Sequence, residues 1–557
     1  MSRPAQYLPP DFEVPIDLDL SRNEGLTRAA DLLAAVSDPA RSVSRYPDVR
    51  DLRQAIADLH RLPIDSVLVT AGGDDALFRC FLARVGRGGE VVTTTPTFEM
   101  IARYTEQQGA GIVEIPWWNE ELPIDDLISA IDDSTSAVFL VSPNNPTGTT
   151  ISEADLRMVG ARCRFLVIDA AYAEFADTDL TTIALELGNT VVIRTLSKAY
   201  GLAGLRVGYL LGPPDMVAEI SAFGNPYPVA ALSARLAVER LGWPRFELDD
   251  FVGEVKQERE ELTALLADLG TEPLRSEANF VLTRSKDAGW LVSAAASLGI
   301  ALRLFPGRAD LDGLVRITLP GNRPDFERLK ATLATALDPE ALLLDMDGVL
   351  ADVSLSQTAA IVETAAGFGA DVTTTDIERA KAEGNANDDW ELTRSLLASL
   401  GIDVPLAEVT ERFEAVYQGN DGSRGLKSLE TMLLDRSTLA GWAASRPVAV
   451  VTGRPRRDAE EFLDRFDISG LITELVTRDD APLKPDPAPV RLALERLGTS
   501  RAWMLGDTPD DIVAARGAGV VPIGVIAPGD DPGRARLSLR HAARVLDTPA
   551  DLEGMLP

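Results

Sequence analysis

Short runs of aliphatic and β-branched residues recur along this chain, each closing on a turn that carries glycine, proline or a polar side chain. They constrain the fold more than any other feature. Residues 67–70, 91–95, 137–141, 165–169 and 191–195 form such runs in the first part, and residues 341–344 and 448–451 in the second. Runs this short and this apolar suit strands buried on both faces. Alternation of such strands with helices specifies an α/β architecture with largely parallel sheets and reactive residues at the strand ends.

Composition narrows the chemistry. At 557 residues the chain is too long for one ordinary domain, and length alone suggests three or four. Hydrophobic residues make up 45% and charged residues 25%, as in ordinary globular proteins. No run approaches the roughly 20 apolar residues of a membrane span. The first six residues lack a signal-peptide core, so the expected location is cytoplasmic. A net charge of −32 argues against nucleic acid and anionic membranes as partners. Only Cys80, Cys163, His60 and His541 occur, which leaves no disulfide framework, no cysteine metal site and almost no scope for histidine catalysis. The chemistry must run on lysine, aspartate, tyrosine and a cofactor or hard metal.

One segment answers that requirement. Lys198 follows the strand-like run 191–195 and precedes the glycine-broken turn that leads to Arg206. An amine at the end of a buried strand is partly desolvated, which lowers its pKa from about 10.4 toward the range where it acts as a nucleophile. The guanidinium fork of Arg206 suits a phosphate. Upstream, Gly72-Gly73-Asp74 lies between a strand and a helix, where backbone N–H groups make a phosphate nest. Asn145 stands in the Ser142-Pro-Asn-Asn-Pro-Thr-Gly148 turn, and Asp169 ends a strand with Tyr172 three residues on.

This ordered set resembles the fold-type I aminotransferases that use pyridoxal phosphate, and in particular their histidinol-phosphate branch. The resemblance implies that Lys198 bonds to the cofactor, that Asp169 meets its ring nitrogen, and that Asn145 and Tyr172 contact its phenolic oxygen. Phe98 would stack on the ring, while Gly73, Asp74, Thr195, Ser197 and Arg206 would hold the phosphate. Tyr46, in Arg45-Tyr-Pro-Asp48, matches a tyrosine that reaches the cofactor of a neighbouring subunit, so a homodimer is expected. Asn23 and Glu24 match the substrate-facing N-terminal arm, although the proline of that motif is missing. Arg316 and Arg303 match arginines that face the substrate, and Asn225-Pro-Tyr-Pro-Val229 resembles a segment of the histidinol-phosphate branch.

After Pro339 a second pattern begins. The apolar run 341–344 delivers Asp345 and Asp347 at its end, followed by Gly348. Three further segments come in order: Thr452-Gly-Arg454, Leu483-Lys-Pro-Asp486 and Gly506-Asp-Thr-Pro-Asp-Asp511. Together they resemble the four motifs of the haloacid dehalogenase superfamily, and the second acid at Asp347 favours its phosphatases. The resemblance implies Asp345 as nucleophile and Asp347 as proton donor and acceptor. Thr452 and Lys484 would bind phosphoryl oxygens. Mg²⁺ would be held by Asp345, Asp507, the main-chain carbonyl of Asp347 and, less directly, Asp511. Within the intervening helical stretch, Asp388 and Asp389 are candidates for contact with a cationic substrate group.

The expected organisation is an N-terminal arm (1–30), a large mostly parallel sheet domain (31–245) and a small α+β domain (246–337). A Rossmann-like phosphatase core (340–352 and 440–557) with an α-helical cap (353–439) follows. The resemblances imply a bifunctional enzyme acting on glutamate and small phosphorylated substrates in histidine biosynthesis. An aminotransferase or threonine-phosphate decarboxylase of other substrate, fused to an unrelated phosphatase, is the alternative. A non-catalytic pyridoxal-phosphate sensor is remote, because the acidic chain offers no basic DNA-binding segment.

Overall fold

The computed structural model describes residues 11–26, 29–35, 44–118, 121–384, 388–420 and 423–557. The chain divides into two compact units. One comprises Asp19–Ala288 and Leu302–Glu327, and the other Asp11–Leu18, Gly289–Ala301 and Arg328–Pro557.

The first unit is built on a seven-stranded sheet. Its strands are β1 (Val67–Thr70), β2 (Glu90–Thr95), β3 (Gly111–Pro116), β4 (Thr135–Val141), β5 (Leu166–Asp169), β6 (Thr190–Thr195) and β7 (Gly208–Leu211), in the order β1-β7-β6-β5-β4-β2-β3. Strands β2 to β6 pair in parallel, and β7 runs antiparallel to both β6 and β1. Every residue of β6 is buried, as expected of a central strand whose two faces are both covered. The β-branched residues of Thr190-Val-Val-Ile193 fit that position because they pack well on a pleated surface. Phe81, Phe139, Val167, Val191 and Leu210 belong to one apolar cluster packed against the sheet. A smaller antiparallel sheet joins β8 (Glu272–Pro273), β9 (Phe280–Arg284) and β10 (Leu314–Thr318), with Leu282 opposite Arg316.

The second unit carries a six-stranded, wholly parallel sheet. Its strands are β11 (Ala341–Leu344), β12 (Val448–Val451), β13 (Glu474–Val476), β14 (Ala502–Gly506), β15 (Val521–Val525) and β16 (Arg544–Leu546), in the order β13-β12-β11-β14-β15-β16. Between β11 and β12 the chain builds helices α1 (Gln357–Gly367), α2 (Thr374–Glu383), α3 (Asp389–Ser399) and α4 (Leu406–Gln418) around an apolar core of their own. Residues 289–301 join this unit through Trp290. Its ring packs edge-on against Trp503 at 4.7 Å, and its Nε1 donates to the carbonyl of Ala336 at 2.9 Å.

One ion cluster in the first unit is deeply enclosed. Arg194 on β6 pairs with Glu174 at 2.7 Å and Asp179 at 2.8 Å, and donates to Thr181 Oγ at 2.6 Å; both Arg194 and Glu174 side chains are only 4% exposed. Removing one partner strands a buried charge, which costs about 3–5 kcal/mol. We expect Arg194→Ala to lower the midpoint of urea unfolding followed by circular dichroism. Adding Glu174→Ala should recover part of that loss rather than add to it.

Candidate active sites

In the first unit the C-terminal ends of β5 and β6 open into a cavity of about 660 Å³. Its wall includes Lys198, Asp169, Tyr172, Thr195, Ser197 and Arg206 from the segments around those strand ends. Gly73, Asp74, Phe98 and Asn145 come from the turns after β1, β2 and β4. Asn23, Arg303 and Arg316 complete it from the arm and the smaller sheet. Of the residues implied for the cofactor or first substrate, all but Tyr46 therefore meet in one place. Tyr46 is 81% exposed and stacks on Tyr227, with ring centroids 4.6 Å apart.

The cavity's polar groups are mutually oriented. Asn23 Nδ2 donates to the Tyr172 hydroxyl at 3.0 Å, and Thr195 Oγ1 donates to Ser197 Oγ at 2.9 Å. Arg316 Nη1 donates to Asn145 Oδ1 at 2.7 Å, and Nη2 to the carbonyl of Ser21 at 2.9 Å. Arg303 and Arg316 exchange backbone hydrogen bonds of 3.1 and 3.0 Å, an isolated antiparallel bridge that sets the two cationic residues side by side. Arg206 pairs weakly with Asp74 at 3.4 Å. Glycine permits the close approaches: a methyl group at Gly25 would lie 1.7 Å from the carbonyl oxygen of Lys198, and one at Gly208 would lie 2.4 Å from the backbone of Gly72.

Burial tunes both ends of this site. It lowers the Lys198 amine to about 8, with the charge of Arg316 acting in the same direction. It raises the Asp169 carboxyl to about 7, against the pull of the Ala171 N–H and of Lys198. An amine that is readily neutral and a half-buried acid at the end of the adjacent strand suit proton transfer on a charged ring. Glu99 and Tyr104 also line the cavity and carry no recognisable signal in the sequence.

In the second unit the ends of β11 and β14 bring acids together. Asp345, Asp507 and Asp511 each offer a carboxylate oxygen within 4.8 Å of the others. Lys484 Nζ bridges two of them, 2.9 Å from Asp345 Oδ1 and 2.5 Å from Asp511 Oδ1. Met346 N–H also donates to Asp345 Oδ1, at 2.8 Å. Asp511 Oδ2 accepts from the Thr508 N–H and hydroxyl, closing a capping box at the start of helix α5 (Pro509–Gly517). Gly348, with φ of +74°, lets the turn after Asp347 approach Asp507, since a Cβ there would lie 2.3 Å from Asp507 Oδ2. Thr452 stands just beyond β12 and accepts the Arg454 N–H at 3.2 Å.

Charge crowding is severe here. Burial, with Lys484 opposing and Asp511 and Asp347 adding to it, raises Asp345 to about 7. Asp507 is pushed well above the carboxylate range by burial and by the charges of Asp511 and Asp345. For Lys484 burial opposes the charge, but Asp345 and Asp511 outweigh it and hold the amine above its usual value. Three carboxylates gathered this closely form a donor set fit for a hard divalent cation.

Asp347 stands apart from that cluster. Its Oδ1 accepts from Arg454 Nε at 2.8 Å and Nη2 at 2.5 Å, and its Oδ2 from Gln357 Nε2 at 3.1 Å. Burial works against its charge, but Arg454 and then Gln357 hold the carboxyl below its ordinary value. The Asp388 carboxylate caps α3, accepting from Trp390 and Glu391 N–H, and pairs with Arg478 at 2.7 Å. Asp389 is raised to about 6 by burial, against the pull of Lys381. Gln357 and Arg454 are functional neighbours that sequence reasoning missed as such, although Arg454 closes the Thr-Gly-Arg motif.

The first unit has the architecture of a fold-type I aminotransferase, and the second that of a haloacid dehalogenase-like hydrolase with a helical insertion. The chain belongs to the aminotransferase class I and II family, whose model matches residues 16–329. Residues 339–519 match the haloacid dehalogenase-like hydrolases. The chain is 34% identical over 291 residues to histidinol-phosphate aminotransferase of Thermococcus kodakarensis, covering 52% of this chain and 82% of that protein. It is 46% identical over 198 residues to imidazoleglycerol-phosphate dehydratase of Phytophthora nicotianae, covering 34% of this chain and 44% of that protein, so it spans under half that relative's length. Histidinol-phosphate aminotransferase of Sinorhizobium meliloti, solved with pyridoxal-5'-phosphate, superposes with a TM-score of 0.53 at 26% identity, over 58% of this chain and 91% of that one. Class I and II aminotransferases use pyridoxal phosphate, and haloacid dehalogenase-like hydrolases generally use Mg²⁺. The two donor sets fit those groups. Among the described residues no helix is long and apolar enough to cross a membrane.

The lowered Lys198 amine is directly measurable. In competitive acylation of the cofactor-free chain, half-maximal labelling of Lys198 should fall near pH 8, whereas an ordinary lysine requires about 10.4. The sign follows from the neutral amine being the reactive form.

Proposed function

We propose that this chain catalyses two consecutive steps of histidine biosynthesis: amino transfer from glutamate to imidazole acetol phosphate, and hydrolysis of the resulting histidinol phosphate to histidinol. One observation carries the reading: a cavity lined by Lys198 and a cluster of three carboxylates lie in one chain that resembles histidinol-phosphate aminotransferases. The likeness to a dehydratase of imidazoleglycerol phosphate supports the same chemistry, because loss of water from that glycerol phosphate gives the acetol phosphate an aminotransferase would accept.

In the first site pyridoxal phosphate, when bound, supplies the electron sink for transamination. Asp169 would hold its ring nitrogen, Asn145 and Tyr172 its phenolic oxygen, and Phe98 its ring face. The amides of Gly73 and Asp74, with Thr195, Ser197 and Arg206, would hold its phosphate. Lys198 is the group that takes and returns the substrate's α-proton, since its amine can be neutral near physiological pH. Arg316 and Arg303 bind the anionic ends of the substrates, and Asn23 orients Tyr172. Tyr46 serves the neighbouring subunit of a homodimer, which accounts for its exposure outside its own cavity.

In the second site Asp345, Asp507, Asp511 and the main-chain carbonyl of Asp347 would hold Mg²⁺, whose charge offsets that of the phosphoryl group. Asp345 attacks through one carboxylate oxygen, with Met346 N–H and Lys484 Nζ both on its Oδ1. That oxygen bonds to phosphorus as the ester P–O bond breaks, and the departing oxygen keeps the electron pair and takes a proton from Asp347, which is ionised beside Arg454 and Gln357 in the free chain and takes that proton up from solvent as the phosphoryl dianion binds. Water then attacks phosphorus, Asp347 accepts its proton, and the Asp345–phosphorus bond breaks to release inorganic phosphate. Thr452 and Lys484 bind the phosphoryl oxygens.

Assays of the full chain separate the two halves. Lys198→Ala should abolish formation of histidinol phosphate and spare its hydrolysis, and Asp345→Asn should do the reverse. No turnover of either imidazole phosphate by the unaltered protein would overturn the proposal. Chelation of divalent cations should stop hydrolysis, with Mg²⁺ restoring it, while transamination continues.

A further inference from the structure

Both crossings between the α/β core of the second unit and its helical insertion meet at one buried carboxylate. On the way out, Ser356 Oγ donates to Glu430 Oε1 at 3.0 Å; on the way back, the Tyr417 hydroxyl donates to the same oxygen at 2.8 Å. Glu430 in turn receives Arg454 Nη1 on Oε2 and Nη2 on Oε1, each at 3.1 Å. Arg454 holds Asp347 through Nε and Nη2, and Gln357 from the first turn of α1 holds the other oxygen of Asp347. The side chains of Arg454 and Glu430 are 4% and 3% exposed.

We propose that Arg454 and Glu430 are positioning residues for Asp347, and that Glu430 ties the seat of the helical insertion to proton transfer at the phosphatase site. This rests on the reading of Asp347 as the group that moves the proton. Arg454 is poorly placed to bind substrate phosphate, because Nε, Nη1 and Nη2 are already committed to Asp347 and Glu430. Nor does stability alone explain the arrangement: an enclosed ion pair returns little net stability over an apolar replacement. What the network achieves is geometric. A planar fork held by a fixed carboxylate sets both the place and the tilt of the Asp347 carboxylate, and proton transfer requires that group within hydrogen-bond reach of the departing oxygen. Ser356 and Tyr417 report the position of α1 and α4 to Glu430, so a displaced insertion loosens the fork that aims Asp347.

Single-turnover release of the leaving group by the full chain tests this, with histidinol phosphate and p-nitrophenyl phosphate compared. Histidinol leaves as an alkoxide that needs a proton, whereas p-nitrophenolate departs without one. Asp347→Asn is the reference and should slow histidinol release far more than p-nitrophenolate release. Glu430→Gln and Arg454→Lys should follow it, slowing histidinol release by about tenfold or more, since small misplacements of reacting groups cost up to about a hundredfold. Their effect on p-nitrophenolate release should stay within about twofold. Tyr417→Phe, which removes a single bond to Glu430, should shift the ratio in the same direction by less and keeps the test open if a charge-altering variant fails to fold. Equal loss with both esters, or no loss with either, overturns the inference. If Asp347→Asn itself slows both esters equally, the role assigned to Asp347 fails, and the inference falls with it.

Discussion

Charge taken out of water is costly unless it is paired, and a parallel sheet covered on both faces offers few places to gather it. In this chain those places are the strand ends. Strand β6 is buried throughout and delivers Lys198 just beyond its last residue. Strands β11 and β14 do the same for Asp345 and Asp507. The sheets thus hold reactive groups rigidly and strip them of solvent, and the altered acidities follow from that placement.

The two sites use desolvation in opposite senses. Around Lys198 it destabilises a cation, so the amine is available in its neutral form near pH 8. Around Asp345 and Asp507 it destabilises anions that neighbouring carboxylates also repel, and Lys484 compensates only part of the excess at Asp345. The first arrangement suits proton transfer on a bound ring. The second suits a divalent cation and a phosphoryl group. One physical effect, applied to residues of opposite charge, yields two unrelated chemistries.

The likeness to the haloacid dehalogenase-like hydrolases points to Asp347, but its setting in this chain comes partly from residues outside the family motifs. Glu430 lies 24 positions before Arg454 and Gln357 lies 10 after Asp347. The insertion between β11 and β12 therefore does more than cover the site, since Gln357 in its first turn touches the acid directly. Asp388, which the sequence offers as a substrate contact, caps a helix and binds Arg478, 90 positions away.

Sequence alone determined the strands, the turns that end them, and the residue types those turns present, because hydrophobic runs and turn chemistry act over a few neighbours. Lys198, Asp169, Asn145 and Asp345 were legible in that way. Tertiary structure alone decided which groups share a partner. Arg454 reaches Asp347 across 107 residues because β11 lies beside β12 in the sheet. Asp345 and Asp507 meet because β11 also lies beside β14. Strand order is a property of the whole sheet, and no local stretch of sequence encodes it.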